Sequence, residues 1–106
     1  MTLSTGTIQQ RLEDIDADLA VRVDALEAAA RAWFLSKRDR EHDRAVVFLK
    51  TEGTVGERSS AADIATSMIG RAEEAEWEAL RAVVRVLETR SVIGMALLKA
   101  YGKAAG

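Results

Sequence analysis

Few residues in this 106-residue chain could do chemistry, and most of the familiar chemistries fail at their first requirement. The single histidine, His42, stands among Asp39, Glu41 and Asp43, which could be imagined as an imidazole and carboxylates around a metal ion. A transition-metal site wants three or four ligands, several of them imidazole or thiolate, and there is no second His and no Cys. Three carboxylates beside a histidine are ordinary in a charged helical segment, so neither a metal nor another cofactor is expected. Nucleophilic catalysis has less support still, since no Ser sits in a sharp Gly-framed elbow. Gly53-Thr54-Val55-Gly56-Glu57-Arg58 carries two glycines but lacks the Lys-Ser/Thr ending of a phosphate loop, and reads as a turn. Glu73, Glu74, Glu76 and Glu78 crowd one stretch, where a solvated helix face explains them better than a general acid–base pair. No enzyme is expected.

What remains is positive charge beside aromatic rings. Arg81, Arg85, Arg90, Lys99 and Lys103 fill the last quarter of the chain. Gaps of four and five drift slowly around a helix, so Arg81 and Arg85, with Arg90 at the limit of the drift, could share one face. Trp77 precedes Arg81 by one helical turn, and Trp33 precedes Lys37 by one turn, with Arg38 adjacent. An aromatic beside a cation can stack a base of single-stranded nucleic acid, worth about 1–3 kcal/mol per base. Both tryptophans fall at or beside apolar stripes, so packing is the competing role. One copy of the basic quarter makes a modest patch. Repeated around an oligomer, it would become a track whose affinity falls steeply with salt.

The elements that carry these residues read as helices. Between Thr7 and Glu52 there is no Gly and no Pro, and from Glu57 to Tyr101 only Gly70 and Gly94 interrupt. Ile8, Leu12, Ile15, Leu19, Val23, Leu26, Ala30 and Trp33 recur at steps of three and four, an apolar stripe close to a coiled-coil seam. Asp14, Asp16 and Asp18 are poor helix formers and leave open a break near residues 14–18. The stretch from Ser36 to Arg44 has no apolar residue, and should be solvated or meet a polar partner. A turn at 53–58 follows, with Ser59 or Ser60 as a helix cap. Ile64, Met68, Ala72, Ala75, Ala79, Val83, Leu87, Gly94, Leu97, Leu98 and Tyr101 trace a second stripe whose alanines would admit another helix closely. The expectation is all-α: one domain over 1–106, an elongated hairpin of two long arms that buries little against itself and assembles as a coiled-coil-like homo-oligomer. Residues 1–6 and 103–106 are expected to be flexible.

Charge is arranged along the chain. The net charge is −2, which argues against a binder that works by overall positive charge. Residues 1–30 carry two basic and six acidic groups, whereas residues 81–106 carry five and one. Each arm is acidic in its first half and basic in its second, so antiparallel pairing would set acid beside base. No apolar run approaches the roughly 20 residues of a membrane span, and the first residues lack the basic start and apolar core of a signal peptide. A soluble, cytoplasmic protein without a membrane partner is expected.

Trp77-Glu78-Ala79-Leu80, the aliphatic run through Val83-Val84 and Val86-Leu87, then Thr89-Arg90-Ser91-Val92-Ile93 and a closing Lys99-Ala100-Tyr101-Gly102 resemble the end of small phage recombination mediators of the UvsY type. In that family an aromatic-bearing helix runs into a Ser/Thr-Arg-Ser/Gly step followed by an aliphatic and a charged tail. Trp33, the charged segment after it and the glycine turn fall in similar order, so about two-thirds of the chain follows the pattern. The resemblance implies a helical, ring-forming protein that binds single-stranded DNA and helps load a recombinase in place of the single-strand-binding protein. By position, Arg90 with Ser91 matches the family's most recognisable step, Trp77 its aromatic, and Lys37 and Arg38 its charged first-arm segment. Members tend to be basic, and this chain departs from them in charge. Taken together with the basic last quarter, the expected nucleic-acid-binding set is Lys37, Arg38, Arg81, Arg85, Arg90 and Lys99, with Trp77 as a stacking residue. The alternative is a helical interaction or assembly protein with no nucleic-acid role, whose charge halves only set helix register.

Overall fold

The computed structural model describes the backbone of residues 4–105 and the side chains of residues 4–102. Three helices and no strand occur among them: α1 Thr5–Lys50, α2 Val55–Thr66 and α3 Arg71–Ala105. The all-α expectation is met. The chain divides into two compact units, Met1–Glu27 with Ala79–Gly106, and Ala28–Glu78. Of the ends expected to be flexible, residues 1–3, residue 106 and the side chains of 103–105 lie outside the described residues. Ser4 caps α1, its Oγ accepting from Thr7 N–H at 3.1 Å, so Thr5 and Gly6 are already helical.

In the first unit the N-terminal part of α1 packs antiparallel on the C-terminal part of α3. Ile8 and Leu12 are buried on α1, and Val84 and Leu87 on α3. A Cβ at Gly94 would lie 2.6 Å from Leu12 Cδ2, so the missing side chain is what lets the two helices meet there. The break left open at residues 14–18 does not occur. Asp14 and Asp18 are held within the helix by i,i+4 partners, Gln10 at 3.0 Å and Arg22 at 3.4 Å respectively. Of the expected α1 stripe, Ile8, Leu12, Ile15, Leu19, Leu26, Ala30 and Trp33 are buried or half-buried, and Val23 alone is exposed.

The second unit holds the end of α1, all of α2 and the start of α3. The chain leaves α1 at Lys50 and re-enters helix at Val55, so residues 55–58 of the anticipated turn are helical. The cap is Thr54, not Ser59 or Ser60. Its Oγ1 accepts from Glu57 N–H at 3.2 Å, and Thr54-Val55-Gly56-Glu57 has the Thr-x-x-Glu form of a capping box. Gly53, at φ +122°, turns the chain just before it. The second arm is then divided. α2 stops at Thr66, the next turn tightens through Ile69 N–H to Thr66 O at 3.2 Å, and Gly70 at φ +82° redirects the chain into α3.

That break resets the helical phase, which explains the largest departure from the expected second stripe. Ile64 and Met68 are 77% and 72% exposed, while α2 buries Ala62 and Thr66 two positions earlier in phase. Thr66 Oγ1 donates to Ala62 O at 2.8 Å, so its buried hydroxyl is satisfied. The centre of this unit is Trp33, only 6% exposed, packed with Ala29 and against Gly70. A Cβ at Gly70 would stand 3.0 Å from Trp33 Cζ3 and 3.1 Å from Ser36 Cβ. Gly70→Ala therefore meets both a left-handed backbone penalty of about 1–2 kcal/mol and a crowded neighbour. Thermal unfolding followed by circular dichroism should show Tm lowered by roughly 5–15 °C, about 4–8 °C per kcal/mol in a domain of this size. Gly102→Ala, with nothing near its Cβ position, should leave Tm unchanged or slightly raised. Equal Tm values for the two variants would remove the Trp33–Gly70 contact as a structural lock.

Candidate nucleic-acid interface

The basic and aromatic residues singled out from the sequence divide between the two units. Lys37, Arg38 and Trp77 belong to the unit Ala28–Glu78, and Arg81, Arg85, Arg90 and Lys99 to the other. Within the first of these, Trp33 is enclosed and cannot present a face to a base. Lys37 Nζ and the Arg40 guanidinium each stand 5.6 Å from its ring centroid, as cation–π partners. Lys37 thus belongs to the packing of Trp33, which also explains how an all-polar segment sustains a helix. Its aliphatic stems cover the indole while the charges reach water. Further along the same segment Arg44 pairs with Asp63 of α2 at 2.7 Å, both side chains being well exposed. Arg38 is exposed and makes no ion pair among the described residues.

Trp77 is half-buried, tilted 57° to the ring of Phe34 with centroids 6.4 Å apart. Phe34 itself is 55% exposed. This edge-tilted pair is the part of the unit's aromatic inventory that most reaches solvent, and in the other unit Tyr101 is 39% exposed. Elsewhere in the unit Arg58 is committed to structure: its Nε donates to Phe48 O at 3.0 Å and its guanidinium lies 4.4 Å from the Phe48 ring centroid. That contact satisfies a carbonyl near the end of α1 and places positive charge where the helix dipole favours it.

In the other unit α3 separates its cations by helical angle. Eighteen residues are five turns, so Lys99 comes into line with Arg81, and Arg85 lies only about 40° from both. All three are exposed, with Glu88 on the same side. Arg90 is different. Five residues beyond Arg85 is about 140° of rotation, which carries Arg90 to another side of the helix. There it lines an apolar groove of about 250 Å³ with Arg11, Ile15 and Leu12 of α1 and Ile93 and Leu97 of α3. It also borders an adjoining groove of about 330 Å³, with Asp18, Val83 and Val86. The sequence reading that let Arg81, Arg85 and Arg90 share a face holds for the first two and fails for the third.

The surface that sequence reasoning missed is the apolar one. Val83, Val86, Ile93 and Leu97 are all exposed, spaced three and four apart with Arg90 in their middle. The inward positions Leu80, Val84, Leu87, Ser91, Gly94 and Leu98 form a second heptad-like row on the neighbouring side of the same helix. Both rows are legible in the sequence as two interleaved phases, and merging them into one stripe hid the exposed one. No group of three or more potential metal ligands occurs among the described residues, and no helix is long and apolar enough to cross a membrane.

No protein-family model, curated protein or solved structure matches this chain.

The two basic neighbours Lys37 and Arg38 now separate experimentally. Lys37→Ala should destabilise by about 0.5–1 kcal/mol through lost contact with Trp33, seen as a Tm drop of a few degrees. Arg38→Ala should leave Tm unchanged. The reverse order would mean that Lys37 does not brace the indole.

Proposed function

We propose that the chain is a non-enzymatic, self-associating accessory protein that binds single-stranded DNA, acting in a cell's cytoplasm as phage recombination mediators do. In that role it would hold the strand and hand it to a recombinase in place of a single-strand-binding protein. One observation carries the reading: α3 puts Arg81, Arg85 and Lys99 on the side turned away from its exposed apolar row. Association through the apolar side leaves those cations outward on each copy. The similarity of the C-terminal residues to mediators of the UvsY type supports the choice of substrate. A net charge of −2 is compatible with this only if binding is local to such a row, so affinity should be modest and salt-sensitive.

A second reading is favoured by the exposure of Phe34, Ile64 and Met68 on the other unit. It makes the protein a helical interaction or assembly factor without a nucleic-acid role, in which charge serves only to select helix partners.

Fluorescence anisotropy of a labelled oligothymidine separates the two. The first reading expects single-strand binding that weakens as salt rises, with duplex bound less well. Arg85→Ala should weaken it and reduce the slope of log K against log salt by about 0.7, the loss of one phosphate contact on a single strand. No binding at tens of micromolar by folded protein would sink the DNA reading and leave the interaction protein.

A further inference from the structure

We infer that the apolar groove between α1 and α3 in the unit Met1–Glu27 with Ala79–Gly106 is occupied by α3 of a second copy of this chain, with Arg90 of each copy facing Asp18 of the other. This rests on, and sharpens, the self-association in the function proposed above.

Three observations select a second copy as the occupant. The first is the pattern of the exposed row. Val83, Val86, Ile93 and Leu97 flank Arg90 almost symmetrically, two aliphatic residues before it and two after. Such a row is self-complementary: two copies related by a twofold axis near residue 90 set aliphatic against aliphatic along its whole length. The groove walls that would receive it, Ile15 and Leu12 on one side and Ile93 and Leu97 on the other, are themselves apolar.

The second is charge. The α1 segment of this unit, residues 1–27, carries two basic and six acidic groups, while residues 79–106 carry five and one. An α3 lying in the groove of another copy touches that copy's acidic α1 as well as its α3. Leu12 meets Gly94 within one copy, so residue numbers at the same height sum to about 106, and Asp18 stands at the height of residue 88. Across a twofold axis at residue 90 that height faces residue 92, only about 3 Å along the helix from Arg90 at 1.5 Å per residue. Each Arg90 then meets an Asp18 carboxylate that also pairs with Arg22 of its own copy at 3.4 Å, with Arg11 further along the groove wall. A polar cluster in a largely apolar seam fixes register and copy number at some cost in stability.

The third is exposure. Val83, Val86, Ile93 and Leu97 are 38%, 49%, 55% and 38% exposed, an apolar row beside the groove that a second copy would take out of water.

Charge exchange between copies tests the pairing. Arg90→Asp and Asp18→Arg should each weaken self-association more than about tenfold, read as mass by light scattering. Within either variant the two positions carry like charge and repel. In a mixture, the carboxylate introduced at position 90 of one variant meets the guanidinium introduced at position 18 of the other. The native Asp18 and Arg90 that remain, one in each variant, meet at the second contact of the twofold pair. The mixture should therefore regain the wild-type mass. Two folded variants that stay dissociated when mixed, or that each associate like the wild type, overturn the inference. Should either variant fail to fold, cysteine placement decides instead, since the chain has no native Cys. Val86→Cys and Ile93→Cys, mixed and oxidised, should give covalent heterodimers, because the axis sets residue 86 of one copy opposite residue 94 of the other. Neither variant alone should, being about 12 and 9 Å from its own counterpart, nor should Val92→Cys and Met95→Cys on the far side of α3. Cross-linking through 92 and 95 only, in a protein that does associate, removes this interface and leaves self-association standing. A wild-type protein that is monomeric at about 100 μM, far above the concentrations at which specific assemblies of this size form, removes both. Oligothymidine binding is read separately, so it survives or falls on its own result.

Discussion

Two helices packed side by side can hide only one stripe of each, and α3 carries more apolar surface than one stripe. That constraint organises most of what is seen in the unit Met1–Glu27 with Ala79–Gly106. Val84 and Leu87 are spent on the inward side of α3, and Gly94 lets Leu12 of α1 come in closely. Val83, Val86, Ile93 and Leu97 are left over on the adjoining side. Hydrophobic stabilisation scales with area removed from water, at about 25 cal/mol per Å², so an unused row of this size is a standing drive toward association. The cations then fall into two classes. Arg81, Arg85 and Lys99 stand exposed on one side of α3, and Arg90 lines the apolar groove.

The unit Ala28–Glu78 solves a different problem with the same means. Its α1 segment has no apolar residue from Ser36 to Arg44, so the core is interrupted between Trp33 and the half-buried Val46, Val47 and Phe48. Trp33 supplies one large buried surface instead, and Lys37 and Arg40 extend it with their stems while keeping their charges wet. The left-handed Gly70 lies directly against the indole. A single close contact thereby decides where α2 ends and where α3 begins, and resets the helical phase between them.

The mediator-like function proposed for the chain and the two-sided character of α3 bear on each other from different directions. The first suggests a ligand, and the second suggests how a slightly acidic chain could make a basic surface, by repetition and not by composition. Aromatic stacking has a smaller place in such a mechanism than the two tryptophans imply, because Trp33 is enclosed and Trp77 is half-covered beside Phe34. Binding would then rest chiefly on phosphates, which accords with a protein that must release its strand to another.

The helical class, the acidic and basic halves and the turn near Gly53 could all be read from the sequence. Each depends on local propensity, composition or the three-four spacing of apolar residues, which act over a few residues and need no partner. The continuity of α1 through Asp14, Asp16 and Asp18, the division of the second arm at Gly70, and the exposure of Ile64 and Met68 could not. They turn on which side of a helix meets a neighbour, and two interleaved apolar rows are equally good candidates until something packs on one. The placing of Arg90 followed the same rule. Its spacing from Arg85 left it on the edge of a shared face, and only the packing of α3 on α1 decided that it lines an apolar groove.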